Sequence, residues 1–175
     1  MFGRDLTEQA TADNPGGVYL VPLIVDKCIE AVETLGKANA REWSHNSRSQ
    51  ALDYEGIYRK TGGASQSRLI TQLFERGDYS AFDLRDSERF SDICSVTSVL
   101  KNYFRSLPVP LLTFDLYEDF ISAAEIPDPT SKYQVLQQLV NKLPLAHYNT
   151  LQKLMIHLHW FVTHSPQPSL LTLVP

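Results

Sequence analysis

Asp53-Tyr54-Glu55-Gly56-Ile57-Tyr58-Arg59-Lys60-Thr61-Gly62-Gly63 sets an arginine in a glycine-framed turn. Gly56, Gly62 and Gly63 permit backbone angles closed to other residues, so the chain can project sharply here instead of continuing a helix. From Gln66 to Arg76 the pattern reads helical, with Leu69, Ile70, Leu73 and Phe74 on one apolar face and Gly77 closing the helix. An arginine carried on a stiff turn suits phosphoryl-transfer chemistry in which a second protein supplies charge to a transition state. A loop arginine can equally be solvated or pin a nearby carbonyl, so this segment alone reads both ways.

A second stretch follows some way on: Val99-Leu100-Lys101-Asn102-Tyr103-Phe104-Arg105-Ser106-Leu107-Pro108-Val109-Pro110-Leu111-Leu112. Ile93, Val96, Leu100, Tyr103 and Phe104 recur at three and four residues, which predicts a buried helix over about Ser91–Ser106. Lys101 and Arg105 are four apart and share a face beside that stripe. They make either a solvated helix face or a compact positive site in an acidic protein. Pro108 and Pro110 stop the helix and stiffen the chain as it leaves.

Taken together, the two stretches resemble the Rho-type GTPase-activating (RhoGAP) domain. That family reads approximately G-[IL]-[FY]-R-x-[ST]-G and then L-K-x-[YF]-[LF]-R-x-L-P-x-P-L. The chain carries Gly56-Ile57-Tyr58-Arg59-Lys60-Thr61-Gly62 and Leu100-Lys101 through Leu111 in the same order. The resemblance implies an activator of a Rho-family small GTPase in its GTP-bound state. Arg59 would be the catalytic group, an arginine finger lent in trans. Lys101 would contact the GTPase, Arg105 would brace the loop carrying Arg59, and Gly56, Gly62, Pro108 and Pro110 would shape it. GTP and magnesium would belong to the partner, so no cofactor is expected and the chain is not an enzyme by itself. The wording is closest to fungal cell-polarity regulators that carry LIM zinc modules upstream, judging by Tyr54 to Gly63 and Phe82 to Pro110.

The rest of the composition sets bounds. A chain of 175 residues, 43% apolar and 21% charged, suits one ordered domain. A net charge of −4 argues against broad nucleic-acid binding, which needs a basic excess. Cys28 and Cys94 are far apart inside apolar patterns, without metal or redox spacing, and read as reduced and buried. No apolar run has the length of a signal peptide core or a membrane span. The expected location is the cytoplasm, with recruitment to the cell cortex left open.

The fold class expected is all-α, a RhoGAP-like helical bundle, because no strand-like alternation of useful length occurs. Residues 1–17 read as a polar N-terminal lead-in, 18–165 as the domain and 166–175 as a tail outside the family. A helix starts at Pro22, carries Ile24, Cys28, Ala31, Val32 and Leu35, and ends at Gly36. Lys37 to Leu52 reads as an exposed inserted loop; Trp43 either docks it or meets a partner, and Ser47 and Ser49 beside Arg48 are candidate kinase sites. Thr113 is placed to cap a helix with Phe114, Leu116, Tyr117, Phe120 and Ile121, and Asp128-Pro129 opens another with Tyr133, Leu136, Leu139, Val140 and Leu143. From about His147 a longer helix carries Leu151, Leu154, Met155, Leu158, Phe161 and Val162. His147, His157, His159 and His164 invite a metal reading, but no H-x-x-x-H pair occurs, so no metal is expected.

The motif likeness runs from about Phe2 to about His159. The family continues with a Ser-Asn-Lys-Met type turn and a helix bearing N-L-A, whose asparagine contacts the GTPase. Asn141 and Asn149 precede that place and match neither motif. The resemblance therefore suggests a C-terminally truncated bundle. The alternatives to an activator are a non-catalytic module that binds a Rho GTPase and an inactive fragment.

Overall fold

The helix predicted over Ser91–Ser106 forms as Ile93–Arg105, and the molecule is assembled around it. In the computed structural model, residues 1–41 and 56–164 are described, without the side chains of 35–41 and of His164. Among the described residues there are seven helices and no strand: α1 Leu6–Asp13, α2 Leu23–Arg41, α3 Ala64–Arg76, α4 Ile93–Arg105, α5 Tyr117–Ala124, α6 Pro129–Val140 and α7 Leu145–His164. The class is all-α, as the patterning implied.

Apolar residues at three-four spacing bury α4 on two sides. Val96, Leu100 and Tyr103 are essentially inaccessible, and α4 packs against α2 and α3. From α2 come Ile24, Val25, Cys28, Ile29 and Val32, and from α3 come Ile70 and Phe74, all at most 1% exposed. Burial of a side chain of this size contributes about 1.5 to 3 kcal/mol, which makes this three-helix contact the main source of stability. Cys28 and Cys94 are both buried free thiols within it. Burial pushes the Cys28 thiol far above its usual range, so it behaves as a small apolar group.

Several expectations need correction. Gly36 does not end α2, which runs on to Arg41; a lone helical glycine costs only about 1 kcal/mol against alanine. Residues 37–41 are thus helical, while 42–52, with Trp43, Ser47, Arg48 and Ser49, lie outside the described residues. Residues 1–17 are more than a polar lead-in. Asp5 accepts from the Thr7 and Glu8 amides and starts α1, which buries Leu6 and Ala10 and packs on α7. Phe2 meets Tyr103 edge-on with ring centroids 6.0 Å apart. The turn-rich stretch after α3 is also structural, since Phe74, Phe82 and Phe90 form a chain of edge-on contacts at 5.1 and 6.5 Å.

Thr113 does not cap a helix. It adopts a left-handed φ of 60° after a turn in which its amide donates to the Pro110 carbonyl at 2.8 Å. A further turn delays α5 to Tyr117, with Leu116 at the cap and no side-chain cap bond. Asp128 does cap α6, accepting from the Ser131 amide, with Pro129 in the first turn. In α7 the predicted stripe is buried only in part. Met155 and Val162 are exposed, whereas His147, Thr150, His157 and Phe161 are buried. Hydrogen bonds to the Leu111 carbonyl, and to Tyr58 and Glu33, make His147 and His157 acceptable inside, and apolar periodicity cannot register them.

Candidate functional site

Gly56 to Gly63 connects the undescribed 42–55 segment to α3, and its backbone is tied along one side of α4. Gly56 takes a φ of 78°, and its carbonyl accepts from the amides of Arg59 and Lys60 at 2.8 and 2.7 Å, closing a tight turn. Ile57 is 1% exposed and plugs the turn into the core. Arg59 is exposed, and its guanidinium lies back over Gly56.

The anchors come from a polar edge of the otherwise apolar α4. The Thr97 hydroxyl donates to the Ile57 carbonyl at 2.9 Å. Lys101 Nζ donates to the Tyr58 carbonyl at 2.9 Å and to the Lys60 carbonyl at 3.3 Å, one on each side of Arg59. Ser98 Oγ accepts from the Gly62 amide at 3.0 Å. Asp92, the N-cap of α4, accepts from the Gly63 amide and from the Ser95 hydroxyl, both at 2.6 Å, and the Ser95 oxygen lies 3.2 Å from the Gly63 carbonyl. Burial pushes the Asp92 carboxyl up, but hydrogen bonds from the Ser95 hydroxyl and from the Gly63, Cys94 and Ser95 amides outweigh it and hold the group below the usual carboxylate range.

Gly56 and Gly62 are required for different reasons. Only Gly56 uses a left-handed angle; Gly62 has none, and neither does Gly63, whose φ is −59°. At Gly62 the constraint is proximity, because a Cβ there would lie 2.1 Å from the Ser95 amide nitrogen. Gly63 has room for one, 3.5 Å from the Asp92 carboxylate. Pro108 and Pro110 follow the end of α4, which stops earlier at Arg105 with Ser106 as its cap.

A second set of contacts reaches the loop from α7 and α2. The Tyr58 hydroxyl is hydrogen-bonded to His157 Nε2, and His157 Nδ1 is 3.0 Å from Glu33 Oε1. A carboxylate oxygen can only accept, so Nδ1 carries the proton and Nε2 accepts from the tyrosine. Burial lowers the His157 pKa, while Glu33 pulls it upward. Burial, with Cys28 and Glu33 nearby, pushes the Tyr58 phenol well above its ordinary value and keeps it a donor. Phe161 meets the Tyr58 ring edge-on at 5.6 Å and Trp160 stacks on His157 at 6.2 Å.

The structure thus brings Gly56, Arg59, Gly62 and Lys101 together. It also gives Lys101 a role beside the expected one, since it grips the loop through two carbonyls. Arg105 is exposed one turn further along, and among the described residues no hydrogen bond joins it to the loop. The ammonium of Lys101 reaches carbonyls on either side of Arg59 on the adjacent loop. Sequence reading missed Asp92, Ser95, Thr97 and Ser98, although Asp92, Ser95, Ser98 and Lys101 recur every three residues in a stretch that is otherwise apolar. It also missed the Tyr58, His157 and Glu33 set, for which no local signal exists. Among the described residues no group of three or more metal-ligating side chains converges; His147 Nδ1 instead meets the Leu111 carbonyl at 3.0 Å, and His159 is exposed. No described helix is long and apolar enough to cross a membrane.

Fold and site define a class: an all-helical domain that displays an arginine on a loop tied to its central helix. The RhoGAP domain family model matches residues 46–171, and the chain belongs to that family. The match continues beyond His159, where the motif likeness stops. Rat N-chimaerin is 34% identical over 83% of this chain and 39% of its own length. Mouse Rho GTPase-activating protein 21 is 35% identical over 79% of this chain and 6% of its own length. The chain therefore spans well under half of these curated relatives. The crystal structure of human Rho GTPase activating protein 15 superposes with a TM-score of 0.76 at 30% identity, covering 93% of this chain and 67% of that one.

Proposed function

We propose that the protein activates GTP hydrolysis by a Rho-family small GTPase, with Arg59 as an arginine finger supplied in trans. The observation that carries this reading is an exposed arginine whose turn is fixed by carbonyl contacts to Lys101 on either side of it. The GTPase supplies nucleotide, magnesium and the residue that orients water. Arg59 enters its site and neutralises charge developing on the transferring phosphoryl group. Because the backbone is already held, rotation about side-chain bonds brings the guanidinium forward from its position over Gly56. The activator binds no nucleotide and needs no cofactor of its own. Arg105, on the exposed flank of α4, is free to face the partner. Kinship with activators of small GTPases supports the partner class, and the wording shared with fungal polarity regulators suggests control of polarity or the cytoskeleton.

An arginine finger contributes about a thousandfold to a hundred-thousandfold, or roughly 4 to 7 kcal/mol of barrier. Single-turnover GTP hydrolysis with a panel of Rho-family GTPases tests the proposal. Arg59→Ala abolishes stimulation while affinity for the GTP-bound partner changes little, and Arg59→Lys does not restore it, because an ammonium cannot fork two donors. Equal losses of affinity and turnover would refute the finger role. Binding by the wild type without stimulation would instead establish the non-catalytic module.

A further inference from the structure

We infer that His157 is a positioning residue for the arginine loop, holding Tyr58 from α7 while Glu33 of α2 fixes the imidazole. This rests on the proposed role of Arg59 for its catalytic consequence, though not for its structural one. Tyr58 immediately precedes Arg59, and its carbonyl is the one that Lys101 grips from α4. The residue is therefore held at both ends, its carbonyl by one helix and its hydroxyl by another.

The geometry is built to keep the imidazole in one orientation. His157 is fully buried, stacked against Trp160, and its ring nitrogens have one partner each, Glu33 and Tyr58. Lys153, which faces the same region from α7, is paired with Asp26 at 3.0 Å. A leucine would fill this space without fixing the tyrosine hydroxyl. Without that bond the Tyr58 ring keeps its packing on Phe161 but can slide, and the Gly56 turn that presents Arg59 slides with it. Two neighbouring amides report this directly, since those of Arg59 and Lys60 both donate to the Gly56 carbonyl.

Tyr58→Phe preserves the ring and removes the hydroxyl; His157→Gln keeps a buried acceptor. Amide hydrogen exchange on the free chain reads the loop, and single-turnover hydrolysis with a GTP-loaded Rho-family GTPase reads its use. Tyr58→Phe speeds exchange at Arg59 and Lys60 about tenfold and leaves core amides of α2 and α7 unchanged, while His157→Gln stays within about threefold of wild type. In hydrolysis, Tyr58→Phe lowers the saturating rate about tenfold and moves the half-saturating concentration less than about twofold. Wild-type exchange at Arg59 and Lys60 in Tyr58→Phe, or acceleration spread evenly through α2 and α7, overturns the inference. If the loop amides respond as expected but the wild type stimulates no GTPase, the positioning role stands and the proposed activity falls.

Discussion

Replacing Gly62 by alanine adds one methyl group where the loop presses on α4, and the structure dictates a large effect. The new Cβ would lie 2.1 Å from the Ser95 nitrogen, 2.3 Å from its Cα and 2.4 Å from the Cys94 carbonyl carbon. All three are backbone atoms of the central helix and cannot rotate away. Either α4 shifts or the loop lifts, and lifting strains the Gly62 to Ser98 and Gly63 to Asp92 hydrogen bonds. Overpacking costs about 1 to 3 kcal/mol. A neutral hydrogen bond contributes about 0.5 to 1.5 kcal/mol and one to a carboxylate about 1.5 to 3 kcal/mol. A loss of about 3 to 7.5 kcal/mol follows, which lowers the melting midpoint by roughly 6 to 30 °C for a chain of this size. Thermal unfolding followed by circular dichroism measures it. Gly63→Ala is the control: its Cβ would meet Asp92 at an ordinary 3.5 Å, so its midpoint stays within about 3 °C of wild type. The close-approach account fails if Gly62→Ala melts within that same margin, or if the two variants are equally destabilised.

Lys101→Met keeps the apolar stem of the side chain but removes both carbonyl contacts beside Arg59. The saturating hydrolysis rate with a GTP-loaded Rho-family GTPase should fall at least about tenfold, with a smaller change in half-saturation; a change in half-saturation alone would make Lys101 a partner contact only. Asp92 is held in its ionised form by the fold, so it adds stability above the ordinary carboxylate pKa, and that contribution is lost as pH falls through its lower folded value. The melting gap between wild type and Asp92→Asn should therefore be widest near pH 7 and narrow as the pH falls below the ordinary carboxylate range; a gap that widens in acid would contradict the assignment.

How much of this was legible in the chain depended on which force set each element. The α4 helix could be read because Ile93, Val96, Leu100 and Tyr103 are both periodic and buried, so pattern and packing agree. On α7 they disagree. Met155 and Val162 carry the hydropathy, but His147 and His157 carry the burial, because satisfied hydrogen bonding is a tertiary property. The short α1 offers only Leu6 and Ala10 to the core, too little for periodicity, and depends on its Asp5 cap and its packing on α7. In the site, the turn residues Gly56 and Arg59 were readable from composition. The crowding at Gly62 was not, since it depends on how closely two segments thirty residues apart approach. The grip of Lys101 on the loop was hidden for a related reason, as it shares a face with Arg105 and depends on the loop's position along α4.

The loop's attachment to the most deeply packed helix affects how it would meet a partner. Residues 57 to 63 are secured at successive points from Asp92 to Lys101, so their backbone freedom is surrendered when the chain folds. Docking then requires restricting little more than one long side chain, about 0.5 to 1.5 kcal/mol, instead of a whole segment. The main chain would then enter such an encounter already in its final shape.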